Sequence, residues 1–504
     1  MSIAYKIDLT QPGRSYPHYW ELCVGSCHAA TILREDVRNQ IRKAHDECGF
    51  KYLRFHGLFD DDMSVAVASL MGHGPVSISF FNVDSIFDFL LSIGMKPFVE
   101  IGFMPTPYAS GDTTCFHYKG NVTMPKDLNV WSDFIRQFGQ HLLDRYGAEE
   151  VSQWFFEVWN EPNLKFFFDG TQDDYFQLYK STATALKSVS PIFRCGGPAT
   201  SVNAWIPDFI NFCHSENVPL DFISTHHYPT DDPLSSFGKN DETKPEYEVN
   251  PPKIDLSTLT PEQIQELVKK FMGNKPKNPR DILQKMTEKA KQEAGDYPLY
   301  YTEWNGAVNY DTNYQSAAVL HTLANNEGLV EGYSYWTVSD IFEELGLVGK
   351  VFSNAFGMQN VYGVAKPVYR IFQTLHEAGA QRLTVEGEPH STAEVMALSD
   401  GNKVTIFAYN HDIEARDIQT ETMELCLNGK LSSLKMAVID ETHTAPYKAW
   451  EDMGQPAYPT PAQLDALHTA SQLVWEPIAV DGDSCSLSIT AQPESVTILE
   501  AVLA

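Results

Sequence analysis

The stretch ELCVGSCHAATILREDVRNQIRKAHDECGFKYLRFHGLF (21–59) predicts a strand, a helix and a second strand. In its central part Val37, Ile41 and Ala44 recur at helical spacing on one face, and Gly49 ends the pattern. The segments on either side are short and apolar, as buried strands are. The stretch therefore indicates one β-α-β unit.

The same alternation continues from about Glu21 to about His376. Further helical patterns occupy 82–94, 131–147 and 175–189. The segments with the length and composition of strands are ELCVGSCH (21–28), KYLRFHGLF (51–59), KPFVEIGF (96–103), WFFEVWNEP (154–162), FRCGGPAT (193–200), DFISTHHYP (221–229), LYYTEWNG (299–306) and GYSYWTVSD (332–340). Eight such units in a row predict an α/β fold, a closed parallel (β/α)8 TIM barrel, more readily than an open sheet.

The pattern changes after about Glu377. Segments such as NKVTIFAYNH (402–411) and ETMELCLNG (421–429) alternate apolar and polar residues. They predict an antiparallel sheet with one face in water, in a C-terminal β-sandwich. AYKIDL (4–9) predicts a strand outside the barrel that joins this sandwich. The expected domains are a barrel at 16–376 and a β-sandwich accessory domain at 377–504, completed by the N-terminal strand within 1–15.

Acidic residues outnumber basic ones, 66 to 37, and the formal net charge is -29. A field of this sign repels nucleic acid and anionic lipid, so both are disfavoured as partners, whereas a neutral sugar is compatible. No apolar run is long enough to cross a bilayer. The N-terminus lacks the features of a signal peptide, so we expect a cytoplasmic protein.

The chain contains eight cysteines and no CxxC pair. Because the chain is far larger than the small domains that disulfides stabilise, we expect these cysteines to be reduced and mostly buried.

Residues 238–280 are rich in Pro, Lys and Glu and fall between the sixth and seventh predicted strands. A loop of this length is usually functional or mobile. Within it, PEQIQELVKKFM (261–272) predicts a short helix with Pro261 in its first turn.

Two glutamates stand where barrel enzymes place their chemistry, at the carboxyl ends of strands. The fourth predicted strand ends in WNEPN (159–163) and the seventh in YTEWNG (301–306). Pro162 disfavours a helical conformation at Glu161, so we expect that residue on extended backbone. Aromatic neighbours can raise the pKa of one carboxyl for use as a general acid, while the other carboxyl must stay ionised.

Either glutamate alone is more simply a loop or strand-end carboxylate. Together, at strands four and seven of an eightfold pattern, they make that explanation improbable. Two carboxylates with opposite duties are the minimum for glycosidic hydrolysis.

The chain resembles glycoside hydrolase family 39, especially its β-xylosidases, over most of its length. The residues that carry the resemblance are WFFEVWNEPN (154–163), STHHYP (224–229), YYTEWN (300–305), YWTVSDIFEELG (335–346) and FHYKGNVT (116–123). The resemblance implies that Glu161 is the general acid/base, that Glu303 is the nucleophile, and that Asn160 hydrogen-bonds the sugar 2-hydroxyl. It implies neither metal nor organic cofactor.

Further positions carry over from the family. Arg54 would support the nucleophile and His56 would touch the sugar. A buried arginine paired with an interior acid such as Glu157 is the competing interpretation of Arg54, and both can hold. His226 and Tyr228 match a pair that lines the sugar pocket, although a packed core histidine is the alternative.

A metal site at His226 and His227 is disfavoured because adjacent strand residues point to opposite faces. The resemblance makes Glu343 and Glu344 acceptors for sugar hydroxyls; without it they would be a solvated charge pair. Trp336 would form a stacking floor. Phe116 would pack beside the sugar, with core packing as the alternative.

Two other acids, Glu100 and the Glu476 of WEP (475–477), are not assigned to catalysis. The expected activity is that of an exo-acting β-xylosidase working by double displacement, which requires carboxyl groups about 5–5.5 Å apart. The alternatives are a relative specific for glucosides, galactosides, arabinosides or uronides, and a non-catalytic carbohydrate-binding barrel. The expected partners are a glycoside or oligosaccharide substrate and, from the resemblance, further copies of the chain in a homo-oligomer.

Overall fold

The computed structural model describes residues 2–69, 75–231, 278–413, 418–480 and 482–504. Most of the 238–280 segment, including the helix predicted at 261–272, lies outside the described residues.

Eight parallel strands form a closed barrel, which confirms the predicted fold. The strands are β1 (Cys23–His28), β2 (Tyr52–His56), β3 (Lys96–Ile101), β4 (Phe155–Val158), β5 (Arg194–Thr200), β6 (Phe222–His226), β7 (Leu299–Trp304) and β8 (Gly332–Tyr335). The helices that follow them in turn are α1 (Glu35–Cys48), α2 (Phe81–Ser92), α3 (Leu128–Val151), α4 (Gln172–Val189), α5 (Ile206–Ser215), α6 (Ile282–Ala294), α7 (Tyr314–Asn325) and α8 (Pro367–Glu377). All eight predicted strands are barrel strands.

Residues at the helix termini explain where individual helices begin and end. The α1 helix buries Val37, Ile41 and Ala44 and ends at Gly49, whose φ of 74° is a left-handed conformation that glycine adopts without strain. The α4 helix begins with a capping box between Thr171 and Asp174.

The barrel interior is filled in layers, so chemistry is confined to its carboxyl end. The bottom layer is aromatic and consists of Phe98, Phe155, Phe222 and Tyr300. Two residues further along three of these strands come the buried polar side chains Glu100, Glu157 and Thr302. These side chains lie directly beneath the mouth of the barrel.

The C-terminal region forms two sheets. Its main strands are β9 (Val385–Gly387), β10 (Ala393–Ser399), β11 (Lys403–Asn410), β12 (Glu421–Asn428), β13 (Leu431–Ile439), β14 (Glu476–Ile478), β15 (Ser484–Ala491) and β16 (Val496–Leu503), with helices α9 (Pro446–Asp452) and α10 (Pro461–Ala470) inserted between β13 and β14. The N-terminal strand Ile3–Asp8 lies between β9 and β12, antiparallel to the first and parallel to the second.

The expectation that one face of the sheet contacts water is wrong for the larger sheet. In β11 every residue after the first is buried. One of its faces packs Ile406 against the smaller sheet, and the other packs Phe407 into the core of the barrel. The expectation holds for β12, which alternates buried and more exposed residues. The difference arises because the barrel covers the outer face of the larger sheet.

The described cysteines are all free, and six of the eight are buried, as expected. No helix within the described residues has the length and apolar character needed to span a membrane.

Candidate active site

Glu161 lies three residues beyond the end of β4, at the mouth of the barrel. Its φ is 42°, so the expectation of extended backbone is wrong. Pro162 excludes the right-handed helical region, but tertiary contacts select the left-handed one. The Glu161 amide donates to the Ala199 carbonyl at 2.8 Å, and its own carbonyl accepts from the Leu164 amide at 2.9 Å.

Glu303 lies on β7, at a register shift against both neighbouring strands. Its carboxylate accepts hydrogen bonds from Arg54 Nη1 at 2.7 Å and from the Tyr228 hydroxyl at 2.8 Å. This buried carboxylate therefore has a cation on one oxygen and a hydroxyl donor on the other.

The two carboxyl groups meet across a narrow gap. A carboxylate oxygen of Glu161, one of Glu303 and a ring nitrogen of His226 all lie within 4.8 Å of one another. This gap is close to the about 5–5.5 Å of retaining glycosidases. Three such groups can also suit a metal ion, but the Arg54 guanidinium already neutralises Glu303, so we do not assign them as metal ligands.

The surroundings of the two acids differ in charge. Burial raises the pKa of Glu161 to about 7, although His56 and Arg54 oppose the rise. Burial also lowers the pKa of the neighbouring His226 to about 4. At neutral pH, therefore, His226 is uncharged and a large fraction of Glu161 holds its proton, as a general acid requires.

Arg54 is fully buried and organises the floor of the site. Besides Glu303, its guanidinium contacts the Glu157 carboxylate at 2.6 Å and the Glu100 carboxylate at 2.9 Å. It also donates to the side-chain oxygen Oδ1 of Asn160 at 2.9 Å. Both interpretations of this arginine therefore hold. Burial opposes its charge, but the three carboxylates outweigh burial and raise its pKa.

His56 connects the floor to the opposite rim. Its Nδ1 lies 2.7 Å from Glu100, and its Nε2 lies 3.7 Å from Glu303 and 3.8 Å from Glu344. Burial alone would lower the pKa of His56, but Glu100 and Glu303 outweigh burial and raise it. Burial raises the pKa of Glu344 to about 8, and the negative charge of Glu303 adds to the effect.

The carboxylate of the neighbouring Glu343 lies 3.5 Å from Arg34 Nη1. The Trp336 ring lies 4.8 Å from the His56 ring and covers Gly25 of β1, where an added Cβ would come within 2.3 Å of the indole. Phe116 is partly buried in an aromatic cluster, with its ring 5.1 Å from that of the half-exposed Phe166.

The model for "Glycosyl hydrolases family 39" matches residues 3–276 and 259–483. The chain belongs to glycoside hydrolase family 39. This family 39 hydrolase is similar to the β-xylosidase of Caldicellulosiruptor saccharolyticus, with 42% identity over 95% of the chain and 94% of that protein. It is 32% identical to the β-xylosidase of Geobacillus stearothermophilus, over 98% and 95% of the two chains.

Solved structures agree with this membership. A monomeric β-xylosidase from Caulobacter crescentus CB15 superposes with a TM-score of 0.82 at 29% identity, covering 100% of both chains. The family 39 enzyme from Xanthomonas axonopodis pv. citri gives a TM-score of 0.82 at 27% identity, over 100% of this chain and 98% of the other.

Sequence reasoning missed two members of this family 39 site. Glu100 was set aside, yet it bonds both His56 and Arg54. Thr302 directly precedes Glu303, and consecutive strand residues normally point to opposite faces, so the sequence does not suggest that both serve one site. The register shift in β7 lets both side chains reach interior groups. His226 faces the acids, whereas His227 is buried and lies nearest Asp231, as alternation predicts.

Proposed function

We propose that the chain is a retaining, exo-acting β-xylosidase in which Glu303 is the nucleophile and Glu161 the general acid/base. The observation that carries the proposal is the approach of the two carboxyl groups to within 4.8 Å in opposite electrostatic surroundings. Arg54 and Tyr228 donate hydrogen bonds to Glu303, and burial raises the pKa of Glu161.

In the first half-reaction the Glu303 carboxylate attacks the anomeric carbon, the glycosidic bond breaks, and the proton of Glu161 passes to the leaving oxygen. The product is a glycosyl ester of Glu303 and a free aglycone. In the second half-reaction water gives a proton to Glu161 and attacks the same carbon, which releases Glu303 as a carboxylate. Two inversions retain the configuration.

The xylose specificity rests on the surroundings of the gap. Because the carbonyl oxygen of Asn160 already accepts from Arg54, its amide NH2 is the group left to donate to the sugar 2-hydroxyl. Glu344 and His56 face the opposite side, where we assign them to further hydroxyls. Glu344 places an acid rather than a basic side chain there, so it offers no cation to pair with the carboxylate of a uronide, which favours a neutral sugar. Trp336 supplies an apolar face for the ring.

The remaining assignments are proposals from the same resemblance. Glu343 contributes to sugar binding and Phe116 packs beside the sugar. The barrel at 16–376 carries the chemistry, and residues 377–504 with the N-terminal strand support it. A cytoplasmic location and a homo-oligomeric state stay predictions from the sequence.

A panel of 4-nitrophenyl glycosides tests the specificity. The β-D-xyloside should show the highest kcat/KM in the panel. A higher value for the β-glucoside, the β-galactoside or the α-L-arabinoside would assign the chain to another specificity within the family.

Glu303→Ala and Glu161→Ala test the two roles. We expect Glu303→Ala to lose turnover by several orders of magnitude, because no covalent intermediate can form. Azide added to Glu303→Ala should attack from the vacated face and give the inverted α-xylosyl azide. Azide added to Glu161→Ala should replace water at the second step and give the β-xylosyl azide. Product anomers are read by NMR.

Glu476→Ala is the matched control, since Glu476 is an exposed glutamate on β14, outside the barrel. It should keep the parent rate. Parent-level hydrolysis by Glu303→Ala, or the same azide anomer from both active-site variants, contradicts the assignment.

A further inference from the structure

A chain of three hydrogen bonds connects Glu161 to the charged floor of the barrel. The Thr302 hydroxyl donates to Glu157 Oε1 at 2.8 Å. His226 Nε2 lies 3.0 Å from the same hydroxyl oxygen, and His226 Nδ1 lies 3.0 Å from Glu161 Oε1. Thr302 and His226 are fully buried, or nearly so, so water does not compete for these bonds.

The direction of each bond follows from the charged end of the chain. Arg54 Nε donates to the Glu157 carboxylate at 2.6 Å, so Glu157 is an acceptor. The single proton of Thr302 is used on Glu157, so the hydroxyl oxygen accepts from His226, and Nε2 must carry a hydrogen. A neutral imidazole has one N–H, and so Nδ1 presents a lone pair.

The proton in the last bond consequently belongs to Glu161. We propose that Thr302 is a positioning residue that fixes His226 as its Nε2–H tautomer and thereby keeps the proton on the acid/base Glu161. The proposal rests on the proposed function of Glu161 and deepens it.

This arrangement acts in both half-reactions. Before glycosyl transfer, the lone pair of Nδ1 stabilises the protonated acid. After transfer, the Glu161 carboxylate faces that lone pair, which disfavours the charged form and promotes recovery of a proton from water. The opposite tautomer would donate to the carboxylate, stabilise it and weaken the acid.

Other charged groups also act on Glu161. They are Glu303, Arg54, His56, Glu100 and Glu344. None of them bonds the Thr302 hydroxyl, whose partners are Glu157 and His226, so a change at Thr302 removes none of these charges. Glu344 is the one that needs its own control, because it can titrate in the same range.

Thr302→Val removes the hydroxyl and keeps the branched shape, whereas Thr302→Ser keeps the hydroxyl. Without an acceptor at Nε2, His226 gains by donating from Nδ1 to ionised Glu161. The alkaline limb of kcat/KM for phenyl β-xyloside, whose poor leaving group needs the acid, should then move down by about one pH unit. The limb of Thr302→Ser should stay in place.

Nitrogen-15 NMR of the imidazoles reads the tautomer without reference to activity, with His226→Asn used to assign the resonance. We expect Nε2–H in the parent and Thr302→Ser proteins and Nδ1–H in Thr302→Val. Nδ1–H in the parent overturns the proposal.

Three kinetic outcomes also bear on the proposal. A lower rate of Thr302→Val with an unmoved limb overturns it, because a merely structural role would give that result. A shift that persists in the Glu344→Gln background supports it, and one that disappears there assigns the limb to Glu344. If the parent does not hydrolyse β-xylosides, the proposed function fails while the NMR result still tests the tautomer.

Discussion

At the scale of single residues, the site surrounds its two glutamates with different partners. Glu303 has a guanidinium and a phenol as donors, whereas Glu161 faces the neutral His226. The difference is one of partners, because both side chains are buried to a similar degree. A neutral acid beside a charged nucleophile is the arrangement that double displacement requires at its start.

Glu161→Gln should change stability in a pH-dependent way. The folded chain binds the Glu161 proton more tightly than the unfolded chain, so this stabilising contribution is complete at low pH and is lost as pH rises toward about 7. The glutamine variant has no such loss. Relative to the parent it should gain about 3 kcal/mol in unfolding free energy between about pH 4 and about pH 9.

Urea denaturation at the two pH values measures this gain. Glu476→Gln, at an exposed position, should show the same difference from the parent at both. An equally constant difference for Glu161→Gln would mean that Glu161 titrates at its ordinary value.

The sequence identified both glutamates because their motifs end strands four and seven of a regular pattern. It could not reveal the left-handed φ of Glu161, since the Glu161 amide is held by the carbonyl of Ala199, which is distant in the sequence and comes close only after folding. Thr302 gave no signal, because its role depends on a register shift between strands and on a histidine far away along the chain.

At the scale of elements, the connection from β8 to α8 brings Trp336 and Glu344 to the site. It is held by Lys366, which is fully buried at the start of α8. Lys366 Nζ lies 2.7 Å from Asp311 and 2.8 Å from Asp340, and it donates to the Ala355 carbonyl at 2.7 Å. Burial raises the pKa of Asp340 to about 7, and Lys366 opposes the rise.

Lys366→Met should destabilise the fold by about 3–5 kcal/mol, because two buried carboxylates lose their cation. The midpoint of urea unfolding measures the loss. Lys350→Met removes an exposed lysine from the same connection and should leave the midpoint nearly unchanged. A midpoint of Lys366→Met equal to that of the parent would show that the cluster contributes nothing to stability.

Sequence patterns located every barrel strand but extended several of them too far. The fourth was expected at 154–162 and ends at Val158, because Trp159 has a φ of 71° and leaves the sheet. Apolar residues continue past the strand because the loops above the barrel are themselves buried. Glu161 therefore stands on a loop immediately after its strand, whereas Glu303 lies within β7.

At the scale of the whole molecule, one sheet joins the two parts of the chain. The larger C-terminal sheet packs on the barrel through Phe407 and on the smaller sheet through Ile406. The smaller sheet includes the N-terminal strand, whose Ile7 is fully buried. The sequence could not predict this double burial, because the covering surface comes from other parts of the chain.

Ile7→Ala should lower the unfolding free energy by about 2–5 kcal/mol through the cavity it creates. The kinetic constants at the barrel mouth should not change, since Ile7 packs in a cluster of the two C-terminal sheets. Thermal unfolding and kcat/KM measure the two effects. Lys6→Ala, at the exposed neighbouring position, is the control and should alter neither quantity.

The N-terminal strand has a consequence for synthesis on the ribosome. Residues Ile3–Asp8 are translated before the barrel, but their first partner, the antiparallel strand β9, begins only at Val385. At about 5–20 residues per second, this apolar segment waits on the order of tens of seconds for that partner while the barrel emerges. A nascent chain interrupted before Val385 would thus carry a complete barrel and an unmatched strand, which makes this segment the natural place for a chaperone to bind.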